Sequence, residues 1–216
     1  MQASLFDPPQ EGELIELDNA RLDYFPNFYT QTKADELLTA LQREIPWRQE
    51  QIRIAGIQRL QPRLSAWFGD AEATYTYSGL HLFPQVWTPL LLDIKQNIDH
   101  VVADTFRLQT PSYFNSVLLN YYRDQHDSMG WHSDDETELG AQPVIASLSL
   151  GGSRVFALKH KKRKELNYKI SLAHGSLLIM SGNTQKHWLH AIAKETQVCN
   201  ARINLTFRQI LPRKIL

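Results

Sequence analysis

From Arg202 to Arg208 polar and apolar residues alternate without a break. In an extended chain Arg202, Asn204, Thr206 and Arg208 fall on one face, and Ile203, Leu205 and Phe207 on the other. A helix would mix the two sets, so the segment is a strand with one apolar face and one face carrying two guanidiniums. Turned inward, that polar face needs a ligand, because an unpaired buried arginine is costly. A guanidinium meets a carboxylate through two parallel hydrogen bonds, so the strand suits an organic dicarboxylate. The plainer alternative is an edge strand with a solvated polar face.

The preceding chain changes character near Ser116. Before it, Ala34, Leu37, Leu38 and Leu41 repeat at helical spacing within Thr32 to Ile45, and Pro46 stops them. Leu90, Leu91, Ile94 and Ile98 mark a second helix from Val86 to about Thr105, with Pro89 suited to its first turn. After it come short strand-like runs: Val117–Tyr122, Val144–Leu150, Val155–Leu158, Tyr168–Leu172 and Leu177–Met180. Gly151-Gly152, Gly175 and Gly182-Asn183 punctuate them. The fold class is α+β, mainly β: a jelly-roll or barrel core with helices packed on one side. Residues 1–13, with Pro8, Pro9 and Gly12, are expected to form a flexible arm, and 14–216 a single domain. Within that domain 14–115 carry the helices and the nucleotide-recognition part, and 116–211 the jelly-roll core.

The chain has 216 residues, enough for one substantial core. Lysine plus arginine equals aspartate plus glutamate at 23 each, so the overall charge names no partner. Local charge does: Lys159 to Lys164 reads Lys-His-Lys-Lys-Arg-Lys, with Arg154 before and Lys169 after. Such a run is a solvated loop or a phosphate contact. The lone Cys199 excludes an internal disulfide and a cysteine-based zinc site. No apolar run is long enough for a membrane span, and the acidic amino terminus does not resemble a secretory signal. A cytoplasmic, reducing location follows as an expectation.

His132 and Asp134 are two apart and share a face of an extended segment. A third ligand must come from a distant strand, which suits His190. Two imidazoles and one carboxylate can bind one face of Fe(II) and leave the opposite face open. Zinc fits the same donors on chemistry alone. His187 and the His126-Asp127 pair are rivals by proximity. The arginine strand favours iron, because its two guanidiniums suit the two ends of 2-oxoglutarate.

These motifs resemble the AlkB family of Fe(II)/2-oxoglutarate dioxygenases, above all its animal nuclear DNA-repair members. The likeness is carried by Pro62-Arg63-Leu64, Tyr75-Thr76-Tyr77-Ser78-Gly79-Leu80, Leu119-Asn120-Tyr121-Tyr122 and Trp131-His132-Ser133-Asp134-Asp135-Glu136. Ile145 to Leu150, His174 to Met180 and Arg202 to Arg208 extend it over most of Gln61 to Leu211. The resemblance implies a double-stranded β-helix that uses Fe(II), 2-oxoglutarate and O2. It implies oxidative demethylation of 1-methyladenine and 3-methylcytosine in DNA, with release of formaldehyde, succinate and CO2. His132, Asp134 and His190 would hold the iron. Asn120, Tyr122, Arg202, Asn204, Thr206 and Arg208 would bind 2-oxoglutarate, with Arg202 at the distal carboxylate and Arg208 at the end near the metal.

For the substrate, the resemblance implies that Tyr77 stacks on the flipped base opposite His132, with Tyr75 in the same pocket. Asp135 and Glu136 would contact the exocyclic amino group of a cationic base. Arg63 would approach the nucleotide, and the basic loop at 159–164 would hold phosphates. One departure matters. Ala55, within Arg53-Ile54-Ala55-Gly56-Ile57, stands where the duplex-preferring relative has an aromatic wedge. A small side chain supports an unstacked duplex poorly. Single-stranded DNA is therefore the expected substrate, with RNA as a further candidate. Gln2-Ala3-Ser4-Leu5-Phe6 resembles the peptide that docks bacterial repair proteins on the sliding clamp, so the arm is a candidate clamp contact.

Two other classes share parts of this pattern. A non-catalytic lesion-binding module would not need the intact ligand set. A 2-oxoglutarate hydroxylase of a protein or small molecule would share the core but not the Tyr75, Tyr77 and basic surface.

Overall fold

The structure, a computed structural model, describes residues 12–54, 57–77, 80–109 and 113–211, with backbone alone at 52–54, 57, 75–77 and 80–82. The first half holds β1 (Glu13–Leu17), β2 (Ala20–Phe25), α1 (Gln31–Glu44), β3 (Gln51–Ile54), β4 (Ile57–Leu60), β5 (Leu64–Gly69), β6 (Tyr75–Tyr77), β7 (Leu80–Leu82) and α2 (Pro89–Phe106). The second holds β8 (Ser116–Tyr122), β9 (Met129–His132), β10 (Ile145–Gly151), β11 (Arg154–His160), β12 (Asn167–Leu172) and β13 (Ser176–Ser181). A four-residue helix, α3 (Thr184–His187), then leads into β14 (Trp188–Ile192) and β15 (Arg202–Arg208).

From β8 onward the chain passes repeatedly between two antiparallel sheets. A seven-stranded sheet has the order β1-β2-β13-β10-β15-β8-β5, and a four-stranded sheet the order β12-β11-β14-β9. Thus β8, β10, β13 and β15 face β9, β11, β12 and β14, which is the jelly-roll arrangement expected of the second half. The residues expected to hold metal and co-substrate line a cavity between these two layers. The larger sheet takes three further strands, β1, β2 and β5, from before residue 116.

The helices cover the outer face of the larger sheet. Thr30 caps α1, its side chain accepting from Lys33 N–H, and Thr88 caps α2 from Leu91 N–H, with Pro89 in the first turn. Leu37 and Leu41 of α1 and Leu91, Ile94 and Ile98 of α2 pack with Leu119, Leu148, Ile179, Ile203, Leu205 and Phe207. The apolar face of β15 is therefore the helix-facing one, and Arg202, Asn204, Thr206 and Arg208 point between the sheets. A second core lies there, where Leu178 and Met180 meet Phe156, Leu158, Trp188 and Ile192.

Several elements differ from the expectation. Glu13, expected in the arm, opens β1, which pairs with β2 across the turn Asp18-Asn19. Asn19 takes φ 55°, a left-handed conformation that asparagine tolerates. The hairpin is hidden in sequence because β2 carries an ion pair, Arg21 Nη2 to Asp23 Oδ1 at 2.8 Å. The basic run is likewise not one loop. Lys159 and His160 complete β11, paired with Leu189 and Trp188 of β14. Arg154 is 1% exposed, so it belongs to the interior and not to a basic surface. It donates to the carbonyls of Asp127 and Ala193, and its guanidinium carbon lies 5.6 Å from the Tyr122 ring centroid. The candidate clamp peptide Gln2–Phe6 and Ala55 fall outside the described residues.

Candidate metal and co-substrate site

β9 and β14 are neighbours in the smaller sheet, with His132 directly opposite His190. Asp134 follows two residues beyond the end of β9. The possible ligand atoms of His132, Asp134 and His190 all lie within 4.8 Å of one another, and among the described residues no other group of three or more could hold a metal. The rival His187 instead stacks on His160 at 5.8 Å, and His126 is exposed beside Gln125.

The surroundings favour ligand forms of these side chains. His132 Nδ1 donates to the Gly130 carbonyl at 2.9 Å, which orients the ring and leaves Nε2 for the cluster. His190 is held down to about 3, first by burial and then by His132, so its imidazole is neutral. Burial alone would raise the Asp134 carboxyl, but Arg208 above all outweighs it and keeps the group below its ordinary value. Asp134 is also fixed by its backbone, whose N–H donates to Gln185 Oε1 at 3.0 Å. Gln185, on α3, is 2% exposed and had no signal in sequence beyond the Gly182-Asn183 turn that starts the helix.

The polar face of β15 forms the wall beside this cluster. The same cavity is lined by His132, Asp134 and His190, by Asn120 and Tyr122, and by Arg202, Asn204, Thr206 and Arg208. Arg202 is 1% exposed. Its Nη2 donates to Ser149 Oγ at 2.9 Å, and its guanidinium lies 5.2 Å from the Tyr122 ring centroid. Burial pushes this guanidinium below its ordinary pKa. Arg202 Nε and Nη1, and Arg208 Nε, are buried with no hydrogen-bond partner among the described residues. Unsatisfied buried donors of a cation are expensive, and a carboxylate supplies what they lack. The donor set and these orphaned guanidinium atoms thus fit a divalent metal with an anionic co-substrate beside it.

Arg208 differs in part from its expected role. Its Nη2 donates to Asp134 Oδ1 at 2.9 Å, so it grips a metal ligand. Asn204 bonds within the wall, donating to Ser147 Oγ and accepting from Thr206 Oγ1. Besides Ser147, the remaining lining residues are apolar, Leu118, Met129, Phe156, Met180, Ala191 and Ile192, and were not foreseen. These apolar strand residues are indistinguishable in sequence from core.

The residues expected to meet substrate are more scattered. Arg63 is 7% exposed, and its Nε donates to Asn120 Oδ1 at 2.7 Å, which places it beneath a cavity residue and away from the surface. Tyr75 and Tyr77 lie on β6, known here by its backbone. Asp135 is exposed beside Asp134, with Lys161 Nζ 2.9 Å from its Oδ2. Glu136 is half-buried and precedes a short 3-10 turn at Thr137–Leu139.

Among known proteins, the mouse and human alpha-ketoglutarate-dependent dioxygenase alkB homolog 3 are each 41% identical over 202 residues, covering 89% of this chain and 67% of theirs. Human DNA oxidative demethylase ALKBH2 is 37% identical over 196 residues, covering 86% of this chain and 72% of its own. The chain thus spans about two thirds of these relatives' length. Among solved structures, a 2OG-Fe(II) oxygenase family oxidoreductase from Burkholderia pseudomallei superposes with a TM-score of 0.61 at 14% identity, over 89% of this chain and 88% of the other. OsALKBH1 superposes with a TM-score of 0.58 at 17% identity, over 91% and 100%. Residues 21–208 match the 2OG-Fe(II) oxygenase superfamily. A match of that extent means that the chain belongs to this superfamily and is a dioxygenase that takes Fe(II), 2-oxoglutarate and O2.

Proposed function

We propose that the protein oxidatively demethylates nucleobases in DNA, acting on 1-methyladenine and 3-methylcytosine and releasing formaldehyde, succinate and CO2. The observation that carries the reading is the pair of guanidiniums, each with unsatisfied buried atoms, on the wall beside the His132-Asp134-His190 cluster. Relatives at 37–41% identity that are named as a DNA oxidative demethylase and as alpha-ketoglutarate-dependent dioxygenases support the choice of substrate.

His132, Asp134 and His190 would hold the metal, which would supply the oxidation chemistry. Arg202 pairs with the far carboxylate of 2-oxoglutarate, with Asn120, Tyr122, Asn204 and Thr206 around its length. Arg208 fixes Asp134, and its unpaired Nε would be available to the near end of the co-substrate. Leu118, Met129, Phe156 and Ile192 exclude water around the reacting groups. Tyr75, Tyr77, Asp135 and Glu136 are the residue types that suit a cationic methylated base, since aromatic faces and carboxylates both attract it. Arg63 acts from below, through Asn120.

Single-stranded DNA is the preferred form and RNA a second candidate, because Ala55 gives no aromatic surface to fill the gap left by a flipped base. We carry the cytoplasmic location, the Gln2–Phe6 clamp contact and the organisation of 14–216 as one domain as parts of this proposal. Among the described residues no helix is long and apolar enough to cross a membrane.

The test is formaldehyde release from methylated single-stranded DNA, duplex DNA and RNA side by side, with and without 2-oxoglutarate. Faster turnover on single strands is expected. Faster repair in duplex would overturn the strand preference, and no release from any of them would overturn the substrate class. A pull-down with the clamp that is unchanged by Leu5→Ala and Phe6→Ala would remove the clamp contact.

A further inference from the structure

The outer face of the smaller sheet carries an aromatic surface that the cavity chemistry does not use. Trp131 precedes His132 on β9, so its side chain points to the opposite side of the sheet from the metal cluster. It is 45% exposed, unusual for the largest side chain in a folded protein. Lys159 of β11 reaches across β14 and sets its Nζ 4.2 Å from the Trp131 ring centroid. Lys169 of β12, the register partner of Ala157 on β11, lies on the same outer face, since Ala157 and Lys159 are two apart on one strand. Lys169 is exposed there.

An exposed indole with one cation over its ring and a second exposed lysine on the same sheet face has the two properties that bind single-stranded nucleic acid. Bases stack on the aromatic face whatever their identity, and the lysines attract the phosphates. We propose that Trp131 and Lys159 form a stacking platform for single-stranded DNA outside the catalytic cavity, holding a nucleotide that flanks the one being repaired. β9 is the edge strand of its sheet, so a strand leaving the cavity beside His132 turns around one strand to reach Trp131. The platform rests on the nucleic-acid reading above and adds to it a strand path on the back of the metal-bearing strand.

The experiment measures fluorescence anisotropy of a labelled, lesion-free oligodeoxythymidylate with the whole protein and with Trp131→Ala, Trp131→Phe and Lys159→Ala, while demethylation of a methylated oligomer is followed in parallel. Trp131→Ala should weaken binding about tenfold, on the scale of one lost stacking contact, and Trp131→Phe should retain most of it. Lys159→Ala should weaken binding and reduce its salt dependence. Metal-dependent succinate formation without nucleic acid should be unchanged in Trp131→Ala, separating a lost platform from a damaged site. Oligomer binding by Trp131→Ala equal to the wild type overturns the platform. So does polyglutamate binding with the same dependence on Trp131, which assigns the surface to acidic protein. Failure of the wild type to demethylate, with Trp131-dependent binding intact, overturns the catalytic reading and not the platform.

Discussion

Arg208 Nη2 lies 2.9 Å from Asp134 Oδ1, so the last residue of the arginine strand holds the carboxylate of the metal cluster in place. The contact makes the polar wall of β15 and the metal cluster one unit, because the same strand ends on Asp134 and carries Arg202 six residues earlier.

Arg208→Ala should therefore weaken the metal site itself. Residues that orient a metal ligand typically change affinity by about 10- to 100-fold. Titration of the metal-free protein with Co(II), followed by absorption, should show a loss of that size. Unchanged metal affinity with a raised KM for 2-oxoglutarate would place Arg208 on the co-substrate alone.

Arg202 and Ile203 are adjacent, both buried, and on opposite faces of β15. Arg202→Met removes a cation with two unpaired nitrogens, so the metal-free protein should melt no lower than the wild type. Its affinity for 2-oxoglutarate should fall about 10- to 100-fold, the weight of hydrogen bonds to a charged group at about 1.5–3 kcal/mol. Ile203→Ala should do the reverse, costing about 2–5 kcal/mol of stability through the cavity it leaves while binding is kept. Thermal melts with and without 2-oxoglutarate separate the two faces; loss of stability in Arg202→Met without loss of binding would contradict the assignment.

The faces of β15 were legible because strict alternation survives in the linear sequence. The metal cluster was legible in its residue types and in the spacing of His132 and Asp134. What Arg208, Arg154 and Arg63 do was not, because each acts through a partner far away in the chain: Asp134, the Asp127 and Ala193 carbonyls, and Asn120. Gln185 was hidden for a related reason, since a four-residue helix has no periodicity to detect. The β1–β2 hairpin was masked by the charged pair on β2, although the Asp18-Asn19 turn was there to be seen.

Acid should destabilise the metal-free protein. Burial first, and His132 second, take His190 from its ordinary 6.5 to about 3. Between those values the unfolded chain accepts a proton that the folded chain refuses, so stability is whole above about pH 6.5 and declines as pH falls through this window. Asp134, depressed in the fold, acts in the same direction: its contribution is present above its unfolded value and is lost at lower pH. Tm should fall progressively below about pH 6.5, and His190→Asn should flatten the upper part of that fall. A Tm independent of pH between 7 and 4 would contradict the burial argument.

Coupling of the two half-reactions is the most direct test of the whole account. Succinate and formaldehyde should appear one-to-one when the Fe(II)-loaded protein acts on single-stranded DNA containing 3-methylcytosine, and both should vanish in Asp134→Ala. Succinate without formaldehyde from the wild type, or full succinate production by Asp134→Ala, would contradict it.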